Sequence, residues 1–422
     1  MSTQITTALR DPGGIFVDAS AYTHLEDWHR RAARLRAEDP VHRVEIEGWT
    51  PFWAITRHAD VWEIERRHEQ FLNTLQSVLL PSEVYRHQAE LGLTIKSLVH
   101  MDGEEHRAYR LVTNDWFKPG NLRRLVEARI AALARAFVDK MMALGPECDV
   151  AREVGLLYPL HVIMTILGVP ERDEPRMLQL TQKIFGPEDP EFAGDAGSLG
   201  TLLDVMRDFH EYFSALTEDR RRTPVDDIAT VLANGTIDGQ PLGDLERLGY
   251  YIIVATAGHD TTSSSLVAGI EALCRHPDQL RALQADPTRI DNAVDEIIRW
   301  ATPVRHFLRH ATAEFALGGK TIAAGDAVLL SYLSANRDET KFDDPMRFDV
   351  ARPNAGEHLA FGTGVHFCLG AHLSRLELRL FFRELLTRLE WMEIAGEPTH
   401  VTSSFVGGLK NLPLRYALRP AE

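Results

Sequence analysis

Residues 361–370 read FGTGVHFCLG: three glycines, one histidine and one of only three cysteines in the 422-residue chain. A long helical pattern follows directly. Such a stretch suits four chemistries: a phosphate cradle, a zinc site, a nucleophilic thiol, or a thiolate that ligates a larger cofactor. A Walker A loop needs Gly, four residues, then Gly-Lys-Ser/Thr, which this stretch does not contain. The dinucleotide fingerprint G-x-G-x-x-G fails at its third glycine, where Phe367 stands. Zinc asks for further ligands at fixed spacing, and His366 and Cys368 supply two. A nucleophilic cysteine needs a base, and that reading stays open.

A thiolate bound to haem iron accounts best for the pattern. Cys368 stands at the start of a helix expected over 369–388. Free N–H groups and the helix dipole favour negative charge there. An ordinary thiol titrates near 8.5, so holding it ionised at neutral pH takes roughly 2 kcal/mol. Gly362, Gly364 and Gly370 let backbone approach a flat macrocycle without Cβ clashes.

Three further groups of residues occur in the chain. ATAGHDTTSSS (255–265) lies inside a helical pattern running from about Gly243 to His276, with Pro277 as its stop. Gly258 costs about 1 kcal/mol there relative to Ala. The Thr261 hydroxyl can bond back to the Ala257 carbonyl, which predicts a local distortion. Glu296 and Arg299 share one face of a helix expected over 288–300. His106 and Arg110, in DGEEHRAYR, stand four apart on another.

Taken together, F-G-x-G-x-H-x-C-x-G, A-G-x-D-T and E-x-x-R, in their order along the chain, resemble the cytochrome P450 family. The resemblance runs from about residue 20 to 418. It is greatest to soluble bacterial members that hydroxylate monoterpenoids, the α-terpineol-oxidising type above all, through YPLHVIMTILGVP, LSYLSANRDE and FVGGLKNLP. It implies a mainly α fold with a minor β component, residues 1–422 forming one domain of an α-rich lobe and a small β-rich lobe. Haem b (iron protoporphyrin IX) would lie between the 243–276 helix and the helix after the cysteine loop.

The resemblance also assigns roles. Cys368 ligates the iron, as a thiolate does in this family. Phe361, Gly362, Gly370, Ala257 and Gly258 border the haem. His106, Arg110, Arg309 and His366 hold its propionates. Asp260 and Thr261 match the acid–alcohol pair that delivers protons to bound dioxygen, and Glu296, Arg299 and Arg352 match a structural network. Ala257, Val304, Phe307 and Phe405 are the substrate-pocket candidates, with 72–99 and 172–200 as the roof. The implied reaction is hydroxylation of a small apolar substrate, a monoterpenoid or small aromatic hydrocarbon. It uses dioxygen and two electrons from a ferredoxin fed by an NAD(P)H-dependent reductase. Arg110, Arg123, Arg124 and Arg375 are candidates for the docking patch. A haem sensor or carrier without turnover and a peroxide-driven peroxygenase are the alternatives; the Asp260–Thr261 pair argues against both.

Positioning these residues requires many helices. Apolar spacing predicts them over 22–38, 58–70, 103–117, 121–144, 151–167, 172–185 and 199–222. Residues 41–56 alternate around Gly48 and predict a hairpin; the tail, 402–418, predicts another. Residues 1–20 are expected to be extended or poorly ordered. A net charge of -15 opposes a broad nucleic-acid surface. An odd, sparse cysteine count fits a reducing compartment. No apolar run approaches the ~18–20 residues that cross a bilayer. A cytoplasmic protein with no nucleic-acid or membrane partner is expected.

Overall fold

The computed structural model describes residues 11–90, 96–185, 188, 189, 191 and 198–421. Helices dominate, and the largest core forms where the helices Glu127–Leu144, Leu157–Leu167, Asp260–Arg275, Ile290–Ala301 and Ala371–Arg388 bury their apolar faces on one another. Ala371–Arg388 packs on both Glu127–Leu144 and Ile290–Ala301. Close approach at its centre depends on Gly269. A Cβ there would stand 2.7 Å from Phe382 and 2.9 Å from Ile297.

Several expected helices are interrupted where the backbone must turn. The 243–276 pattern is two helices, Asp244–Ala257 and Asp260–Arg275, flanking Gly258 and His259. The anticipated distortion is present: Thr261 Oγ1 donates to the Ala257 carbonyl at 3.0 Å. The 121–144 pattern divides into Pro119–Leu125 and Glu127–Leu144 at Val126, whose φ is -135°. Residues 151–155 form a wide π-type turn before Leu157–Leu167. Within 72–99 lies a short helix, Ser82–Glu90; within 172–200 lies Glu174–Phe185, and another helix begins at Ser198. The remaining parts of those two roof segments, 91–95 and most of 186–197, lie outside the described residues.

The predicted 41–56 hairpin is present, with Val41 opposite Ile55. It forms one side of a five-stranded sheet whose order is Val41–Val44, Phe52–Ile55, Ala327–Ser331, His306–Ala311 and Phe71–Leu72. The tail is not a hairpin. Leu409–Asn411 pairs with Thr399–His400, and Pro413–Leu418 lies between Leu389–Ile394 and Glu147–Asp149. Alternation marks a strand but carries no record of its partner.

The N-terminal expectation also needs correcting from residue 11 onward. Pro12–Phe16 and Ala19–Thr23 are 3₁₀ turns, opened by Asp11 and Asp18, whose carboxylates accept from the N–H of Gly13 and Ser20. Ile15 and Phe16 are fully buried, and the Trp28 indole donates to the Ile15 carbonyl at 3.1 Å. Apolar burial fixes the segment although it has no strand or α-helical period. Residues 1–10 lie outside the described part.

Candidate active site

The cysteine loop turns twice through left-handed backbone, at Gly362 (φ 64°) and Gly364 (φ 69°). A Cβ on Gly364 would stand 2.8 Å from the Glu65 carbonyl oxygen. Glu65 itself clamps the loop. Its buried carboxylate accepts from Thr363 N at 2.8 Å, from the Tyr332 hydroxyl at 2.5 Å and from Arg309 Nη2 at 3.1 Å. Nothing in the sequence spacing marks Glu65, because its three partners come from distant segments.

Cys368 follows this turn, its N–H bonded to the Phe361 carbonyl at 2.9 Å. Cys368 is exposed as a residue, yet burial of its thiol pushes the pKa up. Backbone N–H groups of Gly370 and Ala371, with Arg110 and Arg375, pull the other way and favour the thiolate. Arg375 lies over the Phe361 ring at 4.7 Å and bonds Asp295 at 2.7 Å.

The four candidate propionate residues converge on this loop from three elements. Arg110 Nη2 donates to the Phe367 carbonyl at 2.6 Å. The His106 and His366 rings are 4.1 Å apart. His366 Nε2 lies 3.4 Å from Asp102, whose other oxygen accepts the N–H groups of Asn73 and Thr74, each at 2.8 Å. Arg309 reaches the loop through Glu65. Burial first, then His366 and Arg110, lowers His106 to about 4, so it is neutral near pH 7. Asp102 was not anticipated; its one sequence signal is its place just ahead of the His106 helix.

Opposite stands the broken helix. A Cβ on Gly258 would meet Ile163 at 2.5 Å and the Val254 carbonyl at 2.7 Å, so the break is tightly packed. Ala257 and Thr261 share one helical face; Asp260 and Ser263 share the adjacent one. Thr262 Oγ1 bonds the Ser374 hydroxyl at 3.2 Å, tying this helix to the first turns after Cys368.

Glu296, Arg299 and Arg352 form one buried knot. Arg299 grips both Glu296 oxygens, at 2.6 and 2.8 Å, and Arg352 Nε lies 3.1 Å away. The surplus positive charge is met by carbonyls, including those of Asn336 and Asp343. Among the pocket candidates, Val304 bridges to Val406, and the Phe307 and Phe405 rings meet edge-on at 5.4 Å. The expected docking arginines divide. Arg110 and Arg375 are engaged within the cysteine loop, whereas Arg123 and Arg124 are exposed.

This arrangement fits a flat iron macrocycle held at one edge by its acids. It has an exposed cysteine whose thiolate is favoured by N–H donors, a loop turned by left-handed glycines, and two arginines and two histidines gathered beside them. Among the described residues no group of three or more His, Cys, Asp and Glu could hold a lone metal ion.

The family model described as Cytochrome P450 matches residues 48–418. The chain belongs to the cytochrome P450 family and is a haem b-dependent monooxygenase. It is 44% identical over 395 residues to cytochrome P450-terp of a Pseudomonas species, covering 90% of this chain and 92% of that one. Linalool 8-monooxygenase of Pseudomonas putida is 33% identical, with 91% and 94% covered. The crystal structure of CYP108D1 from Novosphingobium aromaticivorans superposes with a TM-score of 0.90 at 41% identity, covering 97% of this chain and 98% of that one.

Proposed function

We propose that the protein hydroxylates a small, mostly apolar monoterpenoid, using dioxygen and two electrons from a ferredoxin-type donor that an NAD(P)H-dependent reductase reduces. The observation that carries a turnover role is the helix break at Gly258 and His259, which sets a carboxylate and a hydroxyl on adjacent faces of one turn. A carrier or sensor has no need of such a pair. The relatives named for terpenes and for linalool support the substrate class, and so do the apolar Val304, Phe307 and Phe405 beside the basic rim. Free thiols at Cys148, Cys274 and Cys368 support a reducing, cytoplasmic setting.

The residue roles proposed are those the family resemblance implies, and the geometry is compatible with them. Cys368 holds the iron, its negative charge eased by the Gly370 and Ala371 N–H groups. His106, Arg110, Arg309 and His366 would take the propionates, and Phe361, Gly362, Gly370, Ala257 and Gly258 would border the haem. When bound, haem supplies the activation of dioxygen, so that one oxygen atom enters the substrate and the other leaves as water. Asp260 holds a proton, and Thr261 Oγ1 relays it from a position fixed by the Ala257 carbonyl. Glu296, Arg299 and Arg352 hold the surrounding loops and touch no substrate.

A spectral titration of the haem protein with monoterpenoids and with small aromatic hydrocarbons tests the substrate class. A shift of the haem absorption band on addition of monoterpenoids is expected. Response to aromatic hydrocarbons alone would overturn it.

A further inference from the structure

His259 stands between Gly258 and the acid Asp260, and it is completely buried. Its Nδ1 is 3.0 Å from the Ala255 carbonyl. Its Nε2 is 3.0 Å from Asp260 Oδ1 and 3.3 Å from Thr181 Oγ1. The Thr181 hydroxyl already donates, to the Leu178 carbonyl at 3.0 Å, so it meets His259 as an acceptor. Each ring nitrogen therefore faces acceptors only. A neutral imidazole beside an ionised carboxylate leaves one of these contacts without a proton. The geometry is satisfied when the pair carries one more proton, either as imidazolium and carboxylate or as imidazole and carboxylic acid.

Two further observations make that proton available. Asp260 Oδ2 is buried and without a hydrogen-bond partner. Asp260 also forms part of the wall of a cavity of about 280 Å³, together with Arg152, Gln182, Glu191, Ser263 and Lys410. Glu191 pairs with Arg152 at 2.8 Å and with Lys410 at 3.4 Å, and Lys410 also pairs with Asp189 at 3.2 Å. These charges balance one another, and Asp260 is the charged group in direct contact with His259.

We propose that His259 is a positioning residue that keeps a transferable proton on the Asp260 carboxylate, so that the acid is loaded before each turnover. The inference rests on the acid role of Asp260 given above. Transfer breaks the Nε2–H bond, forms an O–H bond on Asp260 Oδ1 and leaves both groups neutral; no electron moves. Once Asp260 has passed the proton on, one proton from the bulk solvent buffer, entering through the cavity, restores the pair. The Nδ1–H stays on the Ala255 carbonyl and holds the ring in place. Burial lowers the pKa of His259, but Asp260 and the Ala255 carbonyl more than offset it, so the net shift is upward, toward the protonated ring.

The test uses the intact haem-loaded protein as its diamagnetic reduced carbon monoxide complex, with isotope-labelled histidine ring nitrogens. The His259 signals are assigned by their loss in His259→Phe. Two protonated ring nitrogens at about pH 7, or a protonated Asp260 carboxyl in the infrared spectrum, is expected. A singly protonated ring beside an ionised Asp260 would overturn the proposal. Product formed per electron supplies the second readout. In His259→Phe, and in His259→Gln, which keeps an N–H but has no proton to give, it should fall roughly tenfold from about pH 6 to about pH 8, a loss below the ~10²-fold that a proton donor itself supplies. Profiles in both variants that parallel the parent's would also overturn it. Should neither variant fold, the infrared measurement on the unaltered protein still decides. Full coupling in Asp260→Asn would refute the acid role itself, and the ring measurement would still report the pair, so the two failures are separable.

Discussion

Two buried acid–base groupings sit on neighbouring helices and are built in opposite ways. On Ile290–Ala301, Glu296 is enclosed by Arg299, Arg352 and the Asp349 N–H, and the spare guanidinium protons end on carbonyls. On the neighbouring helix Asp260–Arg275, Asp260 keeps one oxygen unpartnered and meets a histidine whose ring nitrogens both face acceptors. A fully satisfied buried cluster has one arrangement and resists change. A cluster whose acid keeps an unpartnered oxygen beside a histidine ring offers a proton two places to sit. The first suits a brace and the second suits proton transfer.

This contrast can be broken in graded ways. The largest effect is expected from Arg299→Ala, which strands a buried carboxylate and should cost about 3–5 kcal/mol in denaturant unfolding. A loss under about 1 kcal/mol would mean that the knot is not a brace. Next is Thr261→Ala. It should leave haem content, substrate binding and stability near their original values while product per electron falls by ~10²-fold. If product yield stays intact, the helix break has no proton role.

Glu65→Gln follows, because a neutral amide meets the Arg309 guanidinium, the Tyr332 hydroxyl and the Thr363 N–H less well. A loss of about 1–3 kcal/mol and weaker haem retention are expected. A pH effect comes after it. Burial first, then Arg305, lowers His306 to about 3. The unfolded chain takes up that proton near 6.5, so stability should fall as pH drops from about 6.5 toward 3, by up to about 1.4 kcal/mol per unit. His306→Phe should flatten that slope in unfolding measured across the range. The smallest effect is expected at the exposed Arg30–Asp27 pair, where Asp27→Asn should change stability by less than about 1 kcal/mol.

The sequence made the chemistry more legible than the architecture around it. The cysteine loop, the acid–alcohol pair and the Glu-x-x-Arg turn are legible because each needs fixed residue types at a fixed local spacing. Helix periodicity likewise located most helices and missed the break at Val126, where backbone geometry decides; the break at Gly258 and His259 was signalled by Gly258 and the Thr261 hydroxyl rather than by apolar pattern. Glu65 and Asp102 were not legible, since their partners lie far along the chain and a lone acid on a helix looks like solvated surface. The tail strands were recognised as strands but assigned to one another, because alternation is blind to pairing. No residue spacing singles out His259. Its significance lies in which atoms its ring faces, and spacing does not encode that.

The Glu65 clamp bears on how the protein is made. Its partners lie 244, 267 and 298 residues downstream. No nascent chain can close the clamp until Thr363 has left the ribosome, whereas the helices of the first half need only nearby sequence. Local contacts form early and distant ones late. The cysteine loop should therefore be among the last parts to mature, and the nearly finished chain passes through a stage in which most helices stand ready before the cofactor has anywhere to dock.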